Sequence, residues 1–170
     1  PIVTAARLPE RYLITPDARA MAELVTGLEK AREQGVSMVQ LRQPHLSDSE
    51  YEQLAEQLVE RFGSDFTWIL KDSGAPAGAA GWHLTALQLR DLHGAGWRKG
   101  ALFPARPPVP PESVRASNLE HRPTTWWERP PGREKLQPWH GLLAASCHDE
   151  QELEMAAGIG ADFVTLSPVL

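Results

Sequence analysis

Short apolar runs with the look of strands recur along this sequence, most of them separated by amphipathic helical runs, and few folds can absorb that alternation. Tyr12 to Thr15 reads as a first strand, stopped by Pro16, with Asp17 placed to cap the next helix. In that helix Met21, Leu24, Val25 and Leu28 recur at helical spacing, and Gly35 lies just past its end. Met38 to Arg42 forms the second strand. Ser47 and Glu50 have capping-box spacing and open a second helix, with Tyr51, Leu54, Leu58 and Phe62 as its apolar stripe. "FTWILKDS" and "GWHLT" supply strands three and four, and Thr85 caps the helix "ALQLRDLHG". "GLLAASCHD" is the fifth strand. Asp149 and Glu152 again fit a capping box, opening "EQELEMAAGIG", and "ADFVTLSPVL" is the sixth strand. Such alternation predicts an α/β fold with a parallel sheet and outer helices, either a doubly wound sheet or a barrel. No Gly-x-Gly-x-x-Gly follows any strand, so the dinucleotide-binding version lacks its fingerprint.

The 170 residues suffice for one domain with a substantial core, taken here as residues 1–170. A net charge of −5 gives no reason to expect nucleic acid or an anionic membrane as partner. A single cysteine, Cys147, excludes an internal disulfide and a Cys-rich zinc site, and suits a cytoplasmic setting. No apolar run is long enough for a transmembrane helix, and the N-terminus lacks a signal-peptide layout. A start at Pro1 without Met suggests processing or excision from something longer.

Residues 95–140 break the pattern. They hold nine prolines between Pro104 and Pro138, and Trp126, Trp127 and Trp139. An irregular solvated insertion is expected, with a lid or docking loop as the sharper alternative.

Ligands in parallel α/β folds sit at the carboxyl ends of the strands, and polar residues collect there. Val39 and Leu41 would face the helices, leaving Gln40 and Arg42 on the other face. Arg offers a donor fork for phosphate or carboxylate, and Gln can pair with a heterocycle; alternatively Arg42 only pairs with a carboxylate such as Asp72. Ser146 and His148 alternate on the fifth strand toward one cavity, and a His is suited to moving protons near neutral pH. No acid in the sequence marks itself as orienting that His. Lys71 closes the third strand. His83, between Trp82 and Leu84, suits a core histidine but also joins the candidate substrate contacts. Asp72 is the candidate Mg²⁺ ligand, without an evident second carboxylate. Cys147 points to the helix side as a small core residue.

Together "RYLITPD", "VQLRQP", "GWHLT", "LAASCHD" and "GADFVTLSPV" resemble the thiamine phosphate synthase/TenI family, closest to the branch found behind a Nudix (MutT-type) hydrolase. The resemblance spans residues 11–94 and 141–170. It implies a TIM (β/α)8 barrel, incomplete here at about six βα units. It also implies thiamine biosynthesis, either as a Mg²⁺-dependent synthase or as a TenI thiazole tautomerase with a His acid/base. On that likeness Gln40 and Arg42 match the pyrimidine- and pyrophosphate-recognising Gln-Leu-Arg, Asp72 the metal-binding Asp, and Ser146 and His148 the Ser-x-His. His148 is then catalytic, and Gln40, Arg42, Ser146, Lys71 and His83 contact a small phosphorylated heterocycle.

The sequence departs from the synthase pattern. Pro44 stands at the Lys position, Lys71 at the Asn before the metal Asp, and Gln88 at about the second metal Asp. A pyrophosphate leaving group needs concentrated positive charge, so tautomerase-like proton transfer is expected to survive better than synthase turnover. The alternative function is a non-catalytic ligand-binding or regulatory domain fused to a Nudix hydrolase. A homodimer and a fused Nudix domain stay open as partners. Six strands cannot close an eight-stranded barrel; a piece of a longer chain is expected ahead of a natural truncation or completion by a partner chain.

Overall fold

A computed structural model describes residues 8–18, 20–71, 80–101 and 140–167. Pro1, Asp72 and residues 102–139, which include Pro104 to Pro138 and the three tryptophans of the insertion, lie outside the described residues.

Chain order gives β1 (Tyr12–Ile14), α1 (Met21–Glu33), β2 (Met38–Gln40), α2 (Asp48–Phe62), β3 (Thr67–Leu70), β4 (Gly81–Leu84), α3 (Ala86–Gly94), β5 (Leu142–Cys147), α4 (Glu150–Ile159) and β6 (Phe163–Leu166). Every adjacent pair of strands is parallel, and the sheet order is β1-β2-β3-β4-β5-β6. Each crossover therefore moves one strand over in the same direction, which is the barrel order and not that of a doubly wound sheet.

The sheet is strongly curled. Five interstrand steps of about 4.8 Å would hold β1 and β6 about 24 Å apart in a flat sheet. Instead the Tyr12 ring on β1 meets the Phe163 ring on β6 edge-on, with centroids 5.2 Å apart. The result is an open half-barrel, an incomplete TIM-like barrel, with helices on its convex side.

Strand parity divides the side chains. Leu13, Val39, Leu41, Trp68 and Leu70 face outward and pack with Leu24 and Leu28 of α1 and Leu58 and Phe62 of α2. Trp82, Leu84, Leu143, Ala145 and Cys147 do the same against Leu89 and Leu92 of α3 and Ala156 and Ile159 of α4. Two apolar clusters thus back the two halves of one sheet. Cys147 is fully buried there, as its parity predicts. Gly81 leaves room on the concave side: a Cβ at this position would meet Ile69 Cδ1 and lie 3.0 Å from Leu142 Cβ, so a side chain here would force Ile69 to repack.

The caps explain most helix starts. Ser47 with Glu50, and Thr85 with Gln88, form complete capping boxes for α2 and α3. Asp17 does not cap α1. That helix starts after Ala20 without a side-chain cap, and Asp17 instead bonds His45 Nδ1 at 2.5 Å. Gly160 ends α4 with φ +81°, a left-handed conformation that suits glycine.

The first residues of the expected irregular insertion are packed instead. Trp97 is buried against the α3/α4 cluster and Lys99 pairs with Asp162, so residues 95–101 belong to the packed body. Among the described residues no helix is long and apolar enough to cross a membrane.

Candidate functional site on the concave face

Parity sends Tyr12, Gln40, Ile69, His83, Ser146, Phe163 and Thr165 to the concave side. Curling then brings polar groups from five strands into one connected chain. Tyr12 Oη donates to Gln40 Oε1 at 2.9 Å and meets His83 Nδ1 at 3.3 Å. His83 Nε2 lies 2.8 Å from Ser146 Oγ, which lies 3.5 Å from Thr165 Oγ1.

The charge state of this chain follows from burial. His83 is only 5% exposed, and burial lowers its pKa from 6.5 to about 4, so the ring is neutral at neutral pH. Burial also pushes the Tyr12 phenol up, with Tyr51 adding to the effect, so it stays protonated. A neutral imidazole has one N–H and one lone pair. Because the Tyr12 proton goes to Gln40, His83 Nδ1–H donates to Tyr12 Oη and Nε2 accepts from the Ser146 hydroxyl. Donation then runs one way, from β6 to β2. The Gln40 carbonyl end is fixed by Tyr12, which leaves its NH₂ end with no partner among the described residues.

The rim is built by two brackets that the sequence did not reveal. Buried Tyr51 donates to the Leu41 carbonyl at 2.8 Å and accepts from the Lys71 N–H at 3.2 Å, tying together the chain just past β2 and β3. Buried Gln43 donates to the Pro16 carbonyl and Thr15 Oγ1 and accepts from the Ala18 N–H, clamping the β1–α1 loop. Both sit in runs whose apolar or polar pattern says nothing about a partner ten or more residues away.

Of the residues singled out from sequence, Gln40, His83 and Ser146 are joined in the network. Arg42 sits beyond β2, exposed, and its guanidinium has no partner among the described residues. The Lys71 ammonium is held by Asp48 at 3.1 Å and lies 4.4 Å above the Tyr51 ring, both on α2. His148, two residues past Ser146, is held elsewhere: its Nδ1 is 3.0 Å and its backbone N–H 2.7 Å from Glu152 Oε2. The His148 side chain is half exposed, while Glu152 is 2% exposed and also paired with Arg90 of α3. An acid orienting His148 is thus present after all. Burial alone would raise the Glu152 pKa, but hydrogen bonds from His148 and Arg90 outweigh it and hold the carboxyl below its usual value.

Gln88, at the place of a second metal carboxylate, accepts from the Thr85 N–H as a helix cap. Among the described residues no group of three His, Cys, Asp or Glu side chains could hold a metal ion. Asp72 lies outside those residues.

A family model described as "Thiamine monophosphate synthase" matches residues 11–96, about half of the 170-residue chain, from β1 to the end of α3. It covers Gln40, Arg42, Lys71 and His83; Ser146, His148 and Glu152 lie beyond it. No curated protein and no solved structure matches the chain.

Proposed function

Starting from a chain that belongs to the thiamine monophosphate synthase/TenI family, we propose that this thiamine-biosynthesis-related barrel domain binds a phosphorylated thiazole or pyrimidine on its concave face. Proton transfer falls to His148, in the manner of a thiazole tautomerase. The observation that carries this reading is the single hydrogen-bonded chain linking Tyr12, Gln40, His83, Ser146 and Thr165 across the half-barrel. Four of these groups, Gln40, His83, Ser146 and Thr165, lie at or one residue before the carboxyl ends of their strands, the side where such folds place a ligand, while Tyr12 joins them from the start of β1.

The wall is neutral, which selects among family chemistries. His83 carries no charge at neutral pH, and the Lys71 ammonium is taken by Asp48. A flat heterocycle with hydrogen-bonding edges suits such a surface, with the NH₂ of Gln40, unpartnered among the described residues, pointing out one acceptor on the ring. Arg42, at the rim, is the group for a phosphate tail. Departure of pyrophosphate would ask for more positive charge than this. Proton transfer asks for one imidazole whose lone pair can reach the ring.

Calorimetric titration with thiazole phosphate, thiamine phosphate and hydroxymethylpyrimidine pyrophosphate, run beside a tautomerisation assay, tests the reading. Exchange of His148 for Ala should lower turnover by about 100-fold or more, the range of general acid–base catalysis, and leave binding within a few fold. Unchanged turnover would remove His148 from the reaction. Binding without any turnover would instead favour a ligand-sensing domain, the form expected of a regulatory partner to a fused Nudix hydrolase.

A further inference from the structure

The His148 corner contains more apparatus than a surface histidine needs. Glu152 stands third in α4, where a capping box would send its carboxylate back to the N-cap, Asp149. Only half of that box forms: Asp149 Oδ1 accepts from the Glu152 N–H at 2.8 Å. The Glu152 carboxylate reaches one residue further. One oxygen, Oε2, takes both the backbone N–H and the Nδ1 of His148. The other, Oε1, is paired with Arg90 from α3. A carboxylate 2% exposed has therefore been drawn under a half-exposed imidazole and neutralised from behind by a cation on a separate helix.

That geometry has a chemical consequence. An ionised carboxylate is an acceptor only, so the ring nitrogen facing it must carry the proton. Nδ1–H is then fixed toward Glu152, and Nε2 holds the lone pair and has no partner among the described residues. We propose that Glu152, with Arg90 behind it, is a positioning residue. It locks His148 in the Nδ1–H tautomer and turns Nε2 outward as the base, leaving catalysis itself to the imidazole. The groups around the pair agree with this polarity. Asp149 and Glu152 both lie close enough to help raise the neighbouring Cys147 thiol, after its burial, while Arg90 supplies the only positive charge that faces the carboxylate among the described residues. The first turn of α4 favours the anion as well.

The proposal rests on the reading of His148 given above, but its test does not need turnover. Long-range ¹H–¹⁵N spectra of the full chain, with His148 assigned by comparison with the His148→Ala variant, report which ring nitrogen bears the proton in the neutral state. The expected result is Nδ1–H in the wild type and a shift toward Nε2–H in Glu152→Leu, which leaves Nδ1 without its acceptor. An Nε2–H ring in the wild type, or a tautomer unmoved by Glu152→Leu, overturns the proposal. The wild-type spectrum alone decides the matter if Glu152→Leu fails to fold. Kinetics add a second readout. Loss of positioning should lower kcat by about tenfold or more with KM held within about twofold, whereas a purely structural role would lower the folded fraction without moving the tautomer. If His148→Ala leaves turnover unchanged while the tautomer result holds, the functional reading falls and the positioning of the ring stands.

Discussion

His83 and His148 lie on neighbouring strands, one within β4 and the other just beyond β5, yet their surroundings are opposite. His83 is sealed in the concave wall, uncharged, with a phenol on one nitrogen and a hydroxyl on the other. His148 stands half in solvent with a buried carboxylate under one nitrogen and nothing among the described residues on the other. On the proposed function, the contrast separates two duties that one histidine would perform badly. A ring hydrogen-bonded at both nitrogens is a fixed part of a wall. A ring held at one nitrogen keeps a lone pair for transfer.

The sharpest way to break that contrast is acid. In the unfolded chain a histidine takes up its proton near pH 6.5, whereas folded His83 resists protonation down to about 4. The folded state therefore binds fewer protons between those values. Stability is full above pH 6.5 and falls as the pH drops toward 4, by roughly 3 kcal/mol from this group. Urea unfolding at pH 7.5 and pH 4 should show a markedly smaller loss in His83→Gln than in the wild type. Equal losses would mean that His83 is not buried as described.

A smaller effect sharpens the picture of the wall itself. Replacing Tyr12 by Phe keeps the ring contact with Phe163 but removes the hydroxyl shared by Gln40 and His83. Two buried polar groups then lose their partner, a cost of about 2 kcal/mol. Urea unfolding at neutral pH should show that loss; a cost near zero would mean that the phenol does not join β1 to β2 and β4.

Local features of this molecule were legible because their causes are local. Two capping boxes, the outward parity of Val39 and Leu41, and the burial of Cys147 all depend on neighbours within a turn or on strict alternation. The placement of Gln40 and Ser146 on one face was readable for the same reason. What linked them was not, because Tyr12 reaches His83 only once six strands curl, and curling is a property of the whole sheet. Glu152 misled for a related reason. Its spacing from Asp149 announces a cap, but the backbone N–H of His148 and the distant Arg90 pull its carboxylate one residue on. Lys71 sits at a strand end as expected, yet Asp48 and the Tyr51 ring draw it to α2, a contact 23 residues back in the chain that no run of sequence displays.

Ligand binding to the concave wall is the claim from which the rest follows, and Gln40 is its most specific element. Its carbonyl is held by Tyr12, and on the proposed reading its NH₂ end, without a partner among the described residues, recognises a ring acceptor. Calorimetric titration of the full chain with thiazole phosphate, wild type against Gln40→Leu, measures that contact. The wild type should bind, and the variant should bind about tenfold more weakly, the loss of one hydrogen bond of about 1.4 kcal/mol. No binding by the wild type, or equal affinity in the two proteins, would contradict it.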